Sequence, residues 1–239
     1  MKKTGIFLLH GITKSSSEFS KIKENLEELG YFVETPNLPR HGSCPREYET
    51  CWRDILELTK DELLKGAEEK FKKFREKFDE VFVGGNSLGA NIAFYLAGKY
   101  PVNGIIAMGP VYKLNRGLEI ILSFESKIGG FLTGNREEDS NGYRYHGFNI
   151  DGVLQLVEVA KNVPDYIKDI SVPTLLIFSK NDNVASPQNA KYFIKWLKEN
   201  SEVHLFDNLG HGLPENPDVF PVVQEFLNKC SRRSSNIKR

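Results

Sequence analysis

Short runs of apolar residues alternate along the chain with longer stretches in which apolar residues recur every three or four positions. The short runs are rich in β-branched and aromatic residues, which predicts buried strands. Six such runs cover residues 4–9, 31–35, 81–83, 104–108, 172–179 and 202–206. The pattern therefore predicts one sheet of about six or seven strands.

Amphipathic stretches lie between most of these runs and predict helices. They cover residues 15–29, 52–78, 88–100, 187–197 and 217–230. The second stretch is predicted to form one long helix or two, with Gly66 as a possible break. The polar and basic tail, residues 231–239, is expected to be frayed.

Strands that alternate with helices at this spacing predict an α/β fold, with a mostly parallel sheet covered by helices on both faces. The alternation lapses between about residues 111 and 164, where the chain is apolar but irregular. We interpret this segment as an insertion folded over the sheet edge. Residues 1–239 are thus predicted to form a single domain.

Composition excludes several classes of function. The chain has 239 residues and a formal net charge of zero, so no overall field favours nucleic acid. No apolar stretch approaches the roughly 20 residues of a membrane span, which argues against stable membrane insertion. Cys44, Cys51 and Cys230 cannot all pair within one chain, and reduced thiols in a cytoplasmic protein are the expected state.

A serine lies between two glycines where the third predicted strand gives way to a helix. Gly85-Asn86-Ser87-Leu88-Gly89 fits the pattern G-x-S-x-G, in which a strained turn presents the serine hydroxyl at the end of the strand. A glycine-rich turn can also hold phosphate, but no Lys-Ser or Lys-Thr pair follows here, which disfavours that alternative. Ser87 is therefore a candidate nucleophile.

A serine nucleophile needs an imidazole to accept its proton and a carboxylate to orient that imidazole. Among five histidines, His211 is the best base, because it lies between two glycines in the loop after the last strand. Asp182 follows the preceding strand, and Asp207, closer to His211 in sequence, is its rival. The order Ser87, Asp182, His211 is that of the α/β-hydrolase arrangement.

With these motifs, the sequence resembles α/β-hydrolase fold serine hydrolases, and its pattern is nearest to small bacterial carboxylesterases and monoacylglycerol lipases. The resembling segments are residues 8–12, 37–42, 85–89, 181–182 and 210–212. The family sheet commonly begins with two further strands; no apolar run precedes residues 4–9 in this sequence, so that run is expected to occupy the family's third position. The resemblance implies that the strand before Ser87 lies centrally, beside residues 4–9.

The resemblance also implies roles for the loop after the first strand. Two backbone N–H groups must stabilise the anionic oxygen of the tetrahedral intermediate. Leu88, directly after the nucleophile, is expected to supply one, and similarity to the family points to Ile12 for the other. His10 is interpreted as a structural residue that bonds loop backbone, and Arg40 and His41 as a brace for their loop.

The irregular segment occupies the position of the family's cap, which covers the nucleophile and shapes the acyl pocket. Its apolar residues either attach the cap to the body or line a slot for an apolar acyl chain; they include Leu118, Ile121, Leu122, Phe124, Phe131 and Leu132. An apolar slot fits an uncharged ester better than a charged substrate. No metal or organic cofactor is expected.

Together these features predict a serine esterase for short- to medium-chain carboxylic esters, with monoacylglycerols among the candidate substrates. Two alternatives stay open. The same residues could cleave amides, peptides or thioesters, because acyl transfer uses the same machinery. A non-catalytic ligand-binding protein on this scaffold is the other alternative, and the complete Ser, Asp, His set argues against it.

Overall fold

The structure is a computed structural model that describes residues 2–42, 58–114, 131–132 and 148–236. Its strands are β1 Thr4–Leu9, β2 Phe32–Glu34, β3 Glu80–Asn86, β4 Gly104–Met108, β5 Phe131–Leu132, β6 Phe148–Asn149, β7 Thr174–Ser179 and β8 Ser201–Phe206. Six of them form one sheet in the order β2-β1-β3-β4-β7-β8, with every neighbouring pair parallel. The predicted parallel sheet is confirmed, and β3 lies beside β1.

Helices alternate with the strands of the large sheet in the described ranges, except that β5 and β6 lie between β4 and the next helix. The helices are α1 Ser20–Glu28, α2 Lys60–Arg75, α3 Leu88–Lys99, α4 Ile150–Lys161, α5 Val163–Ile167, α6 Ala190–Leu197 and α7 Val219–Asn236. A short 3₁₀ turn, Ser16–Phe19, precedes α1 and is capped by the hydroxyl of Ser15. The tail was expected to be frayed from residue 231, but α7 continues to Asn236.

Both faces of the sheet are covered, because successive side chains of each strand point to opposite sides. On β1, Ile6 and Leu8 belong to the apolar cluster that includes α1 and α7. Phe7 and Leu9 belong to the cluster that includes α2 through α6. The sheet therefore separates two cores, and its strand ends are left for the loops that carry the candidate site.

Two predicted boundaries differ from the structure. The third strand was predicted to end at residue 83, but β3 continues to Asn86, because β1 and β4 pair with its glycine backbone on both sides. Gly66 was a possible break, but α2 passes through it without interruption. A Cβ at Gly66 would lie 2.4 Å from Cγ of Pro39, so close packing against that loop accounts for the glycine.

The segment between residues 111 and 164 is more regular than predicted at its C-terminal end. Helix α4 occupies residues expected to be irregular, and its Leu156, Val159 and Ala160 are buried in the core beside α3. Their spacing of three and four is itself a helical signal. The extent of the cap, residues 111–164, and the single domain 1–239 remain predictions.

Most of the predicted cap lies outside the described residues, including Leu118, Ile121, Leu122 and Phe124. Phe131 and Leu132 form β5, which pairs with β6 in a two-stranded antiparallel sheet. Within the described ranges, no helix combines the length and the apolar character needed to cross a membrane.

Candidate active site

Ser87 occupies a sharp turn between β3 and α3. Its backbone has φ 54° and ψ −117°, a conformation that costs a non-glycine residue about 1–3 kcal/mol. The Ser87 N–H donates to the Met108 carbonyl at 2.8 Å, and the Ser87 carbonyl accepts from the Asn91 N–H at 3.2 Å. Helix and neighbouring strand thus hold the strained turn, and the serine is only 3% exposed.

The second glycine of the motif is required by the close approach of α3 to the end of β1. A Cβ at Gly89 would lie 1.9 Å from the Leu9 carbonyl oxygen and 2.7 Å from that of His10. Neither oxygen belongs to a flexible side chain, so the backbone itself would have to move. The motif therefore packs the nucleophile turn directly against the loop that was predicted to supply Ile12.

Asp182 and His211 meet at the C-terminal edge of the sheet. Nδ1 of His211 lies 2.7 Å from Oδ2 of Asp182. Since a carboxylate only accepts hydrogen bonds, the imidazole proton is on Nδ1, which leaves Nε2 able to accept a proton. The other carboxylate oxygen accepts the N–H groups of Val184 and Ala185, both at 2.8 Å, and the Asp182 side chain is fully buried.

The rival acid does not contact His211. Asp207 forms an ion pair with Lys180 on the surface, and its side chain is 70% exposed. Proximity to His211 in the sequence is therefore a poor guide to the acid. The side chain of Asp207 lies in solvent, whereas Asp182, which follows β7, contacts the imidazole. Of the two candidate acids, only Asp182 is brought to His211.

Gly109 lies close to Asp182 and His211, at the end of the strand that also contacts the Ser87 turn. It follows β4, whose last residue bonds the Ser87 N–H, and its own N–H donates to the Ile177 carbonyl at 2.8 Å. A Cβ at Gly109 would lie 3.5 Å from both Oδ2 of Asp182 and Cε1 of His211. Gly109 was not predicted to belong to the site, although a glycine directly after a central strand was a signal for it. The three predicted residues thus lie around the ends of β3, β4 and β7.

The two predicted oxyanion donors lie in two different segments of the chain, one directly after Ser87 and one in the loop after β1. Leu88 is the first residue of α3, where N–H groups have no acceptor within the helix. Ile12 lies in the loop after β1, and a Cβ at the preceding Gly11 would lie only 3.6 Å from the Ser87 Cβ. The structure therefore places Leu88 directly after Ser87 and brings the residue before Ile12 close to it, and the role of the two N–H groups stays a prediction.

His10 bonds loop backbone, as predicted. The Leu38 N–H donates to its Nε2 at 2.9 Å, so the ring proton is on Nδ1, which donates to the Gly11 carbonyl at 2.8 Å. Complete burial, with a smaller contribution from His41, lowers the pKa of His10 to about 3. His10 is therefore a neutral structural residue.

His41 braces the same loop. Its Nε2 lies 2.8 Å from the Ile12 carbonyl oxygen and its Nδ1 lies 2.8 Å from that of Pro39. Arg40 instead pairs with Glu62 on α2 at 2.9 Å. The interpretation of both residues as a brace for their loop agrees with these contacts.

Two further polar residues near the site were missed. Glu18 is buried, accepts the Gly11 N–H at 2.8 Å and accepts the side-chain amide of Asn86 at 2.8 Å. Burial raises the pKa of Glu18, while its hydrogen bonds to Gly11 and Asn86 oppose that shift. In the sequence, Glu18 looks like an ordinary acidic residue of a first helical turn, so no pattern set it apart.

Known proteins resemble this chain at low identity. A thermostable monoacylglycerol lipase from Bacillus sp. (strain H-257) is 24% identical over 193 residues, which span 78% of this chain and 73% of that protein. A solved structure reported for LipS and LipT, two metagenome-derived lipolytic enzymes, gives a TM-score of 0.83 at 19% identity and covers 97% of this chain and 94% of that one.

A soluble variant of the monoglyceride lipase of Saccharomyces cerevisiae gives a TM-score of 0.74 at 16% identity, covering 96% of this chain and 85% of that one. These comparisons confirm the α/β-hydrolase fold and the predicted resemblance. The model of the alpha/beta hydrolase family matches residues 6–220, which is nearly the whole chain. The chain therefore belongs to the alpha/beta hydrolase family.

Proposed function

We propose that this protein is a serine esterase that hydrolyses short- to medium-chain carboxylic esters, including monoacylglycerols, through an acyl-enzyme on Ser87. The observation that carries the proposal is the 2.7 Å contact between His211 and a fully buried Asp182, at the same edge of the sheet as a serine held in a strained turn. A strained residue and a buried carboxylate paired with an imidazole at one sheet edge are typical of active sites.

The reaction follows from these positions. Nε2 of His211 accepts the proton of the Ser87 hydroxyl while Oγ bonds to the ester carbonyl carbon. Asp182 stabilises the resulting imidazolium, and the N–H groups of Ile12 and Leu88 stabilise the oxyanion. The imidazolium then gives its proton to the departing alcohol oxygen as the carbon–oxygen bond breaks. Water, deprotonated by His211, then bonds to the acyl carbon; the bond from that carbon to Oγ of Ser87 breaks, the acid leaves, and His211 returns the proton to Oγ.

The substrate class rests on two supports. Relatives named monoacylglycerol lipases share the fold, although at low identity. The predicted cap is also rich in apolar residues, which suit an uncharged acyl chain better than a charged group. A p-nitrophenyl ester series of graded acyl length, assayed beside a monoacylglycerol, tests this choice. The proposal expects kcat/KM to be highest at short to medium length.

The role of Ser87 is tested by Ser87→Ala. The variant should keep its circular dichroism spectrum and its Tm but lose ester turnover by at least about 10⁴-fold, since the nucleophile is absent. Ser20→Ala, at an exposed position at the start of α1, is the matched control and should retain full activity. Turnover retained by Ser87→Ala would reject the acyl-enzyme mechanism.

A further inference from the structure

A buried carboxyl group joins the three loops of the candidate site. Glu18 lies in the 3₁₀ turn before α1 and is 3% exposed. Its Oε2 accepts the Gly11 N–H and its Oε1 accepts Nδ2–H of Asn86, both at 2.8 Å. The same amide nitrogen of Asn86 lies 3.3 Å from the His211 carbonyl oxygen. One side chain thus connects, directly or through Asn86, to the loop of Ile12, the Ser87 turn and the His211 loop.

The contact with Gly11 bears on the direction of the Ile12 N–H. Glycine permits many backbone conformations, so both peptide planes beside its Cα must be held from outside. Glu18 holds the first plane through the Gly11 N–H. The Gly11 carbonyl, in the second plane, accepts from the Lys14 N–H at 3.1 Å and from Nδ1 of His10. Because a trans peptide points N–H opposite to C=O, these contacts together aim the Ile12 N–H.

A second tie joins the same loops. Lys14, two residues after Ile12, forms an ion pair with Glu215, which follows the His211 loop. The pair is only partly buried, so it adds little to the free energy of unfolding. It does, however, join the loop that contains Ile12 to the segment that follows His211. Glu18 and Asn86 make the buried half of that connection.

The buried contacts of Glu18 and Asn86 carry a free-energy cost that a purely structural role would not require. Burying a carboxyl group is unfavourable, and burial raises the pKa of Glu18. Oδ1 of Asn86 is also buried, with no hydrogen-bond partner in the part of the chain that the structure describes. Leaving such a group without a partner is unfavourable. Apolar residues of similar shape would avoid both costs, which points to a role in the site.

We propose that Glu18, acting through Gly11 and Asn86, is a positioning residue that fixes the oxyanion donor Ile12 and the base His211 relative to Ser87. This inference rests on the proposed function. Glu18 does not touch the reacting atoms; it sets the geometry in which the transition state is stabilised. Misplacement of about 1 Å in such a site costs about 10²-fold in rate.

Glu18→Gln is the test. The amide retains one acceptor oxygen but turns its NH₂ towards Gly11 N–H or Asn86 Nδ2–H, so one of the two contacts is lost. We expect kcat to fall about 10- to 100-fold, with KM changed by less than about twofold, because the oxyanion contact is made only in the transition state. Inhibition by a trifluoromethyl ketone ester analogue, which mimics the tetrahedral intermediate, should weaken by the same factor as kcat/KM.

Glu24→Gln is the matched control, since Glu24 is on α1, its side chain is 63% exposed, and it forms a 3.4 Å ion pair with Lys21 on the surface. It should leave kcat, KM and inhibition unchanged. Active sites are counted with a fluorophosphonate, so a variant that merely folds poorly shows fewer sites but normal kcat per site. That result for Glu18→Gln would overturn the inference.

If Glu18→Gln yields no folded protein, the variant Asn86→Ala is the second test. It removes the link to the Ser87 turn and to the His211 carbonyl but leaves the Gly11–Glu18 contact in place. The inference expects a fall in kcat per site of about 10-fold or more at constant KM. An unchanged kcat would overturn it while wild-type ester turnover still supported the proposed function. Wild-type protein that cleaves no ester would overturn both.

Discussion

The contact between Asp182 and His211 makes a quantitative prediction for Asp182→Asn. The variant has nearly the same shape, and its oxygen can still accept the N–H groups of Val184 and Ala185. Its NH₂, however, then faces Nδ1 of His211, which must become an acceptor and carry its proton on Nε2. In that tautomer the imidazole cannot accept the proton of Ser87.

The size of the effect follows from the same geometry. Opposite unit charges at the observed 2.7 Å attract by about 6 kcal/mol at an effective dielectric constant of roughly 20. A wrong tautomer in a Ser, His, Asp site of another enzyme family lowers kcat by about 10⁴, or about 5.4 kcal/mol. The wrong tautomer sets the size of the loss and the Coulomb figure is its upper bound, so Asp182→Asn should reduce kcat by about 10⁴-fold.

The assay is turnover of a short-chain p-nitrophenyl ester per active site at neutral pH. Asp207→Asn is the control, because it makes the same change at the acid closer to His211 in the sequence. The side chain of Asp207 is exposed and paired with Lys180. It should change kcat by less than about twofold. A reduction below about tenfold in Asp182→Asn, or a larger loss in Asp207→Asn, would refute the assignment of the acid.

Two predictions concern stability. His10 has a folded-state pKa of about 3 against an ordinary value of 6.5, so the unfolded chain binds more protons between those values. Below about pH 6.5 the wild type should therefore lose up to about 1.4 kcal/mol of unfolding free energy per pH unit, until about pH 3. In urea titrations, the difference from His10→Asn should follow that slope; parallel curves would contradict it. Gly89→Ala should destabilise by about 1–3 kcal/mol or more, because its Cβ would lie 1.9 Å from the Leu9 carbonyl oxygen. Gly210→Ala, with open space around its Cβ, should stay within about 0.5 kcal/mol, and equal losses in both variants would contradict the packing argument.

The central strands of the sheet were predictable from the sequence because they are buried on both faces. Runs such as residues 4–9 and 104–108 are continuously apolar, and their limits match β1 and β4. Buried parallel strands leave this signature whatever surrounds them. The predicted end of β3 was wrong, because glycines carry no local strand signal. Residues 84–86 continue the strand because the neighbouring strands pair with their backbone.

The contact between Asp182 and His211 was predictable from the sequence, because each of the two residues follows a strand of the predicted parallel sheet. Asp182 and His211 follow β7 and β8, and the sheet brings such loops together. Glu18 and Asn86 were missed because their importance comes from burial and from contacts across the chain. Nothing in the local sequence indicates that the Glu18 carboxyl will lie beneath the loop of Ile12.

The central claim is that Ser87 carries the acyl group during ester hydrolysis. The most direct measurement is intact-protein and peptide mass spectrometry of the wild type, quenched in acid during turnover of a p-nitrophenyl ester. We predict a mass increase equal to the acyl group, located on the peptide that contains Ser87 and absent from Ser87→Ala. An acyl adduct on another residue, or ester turnover by Ser87→Ala at the wild-type rate, would contradict the account.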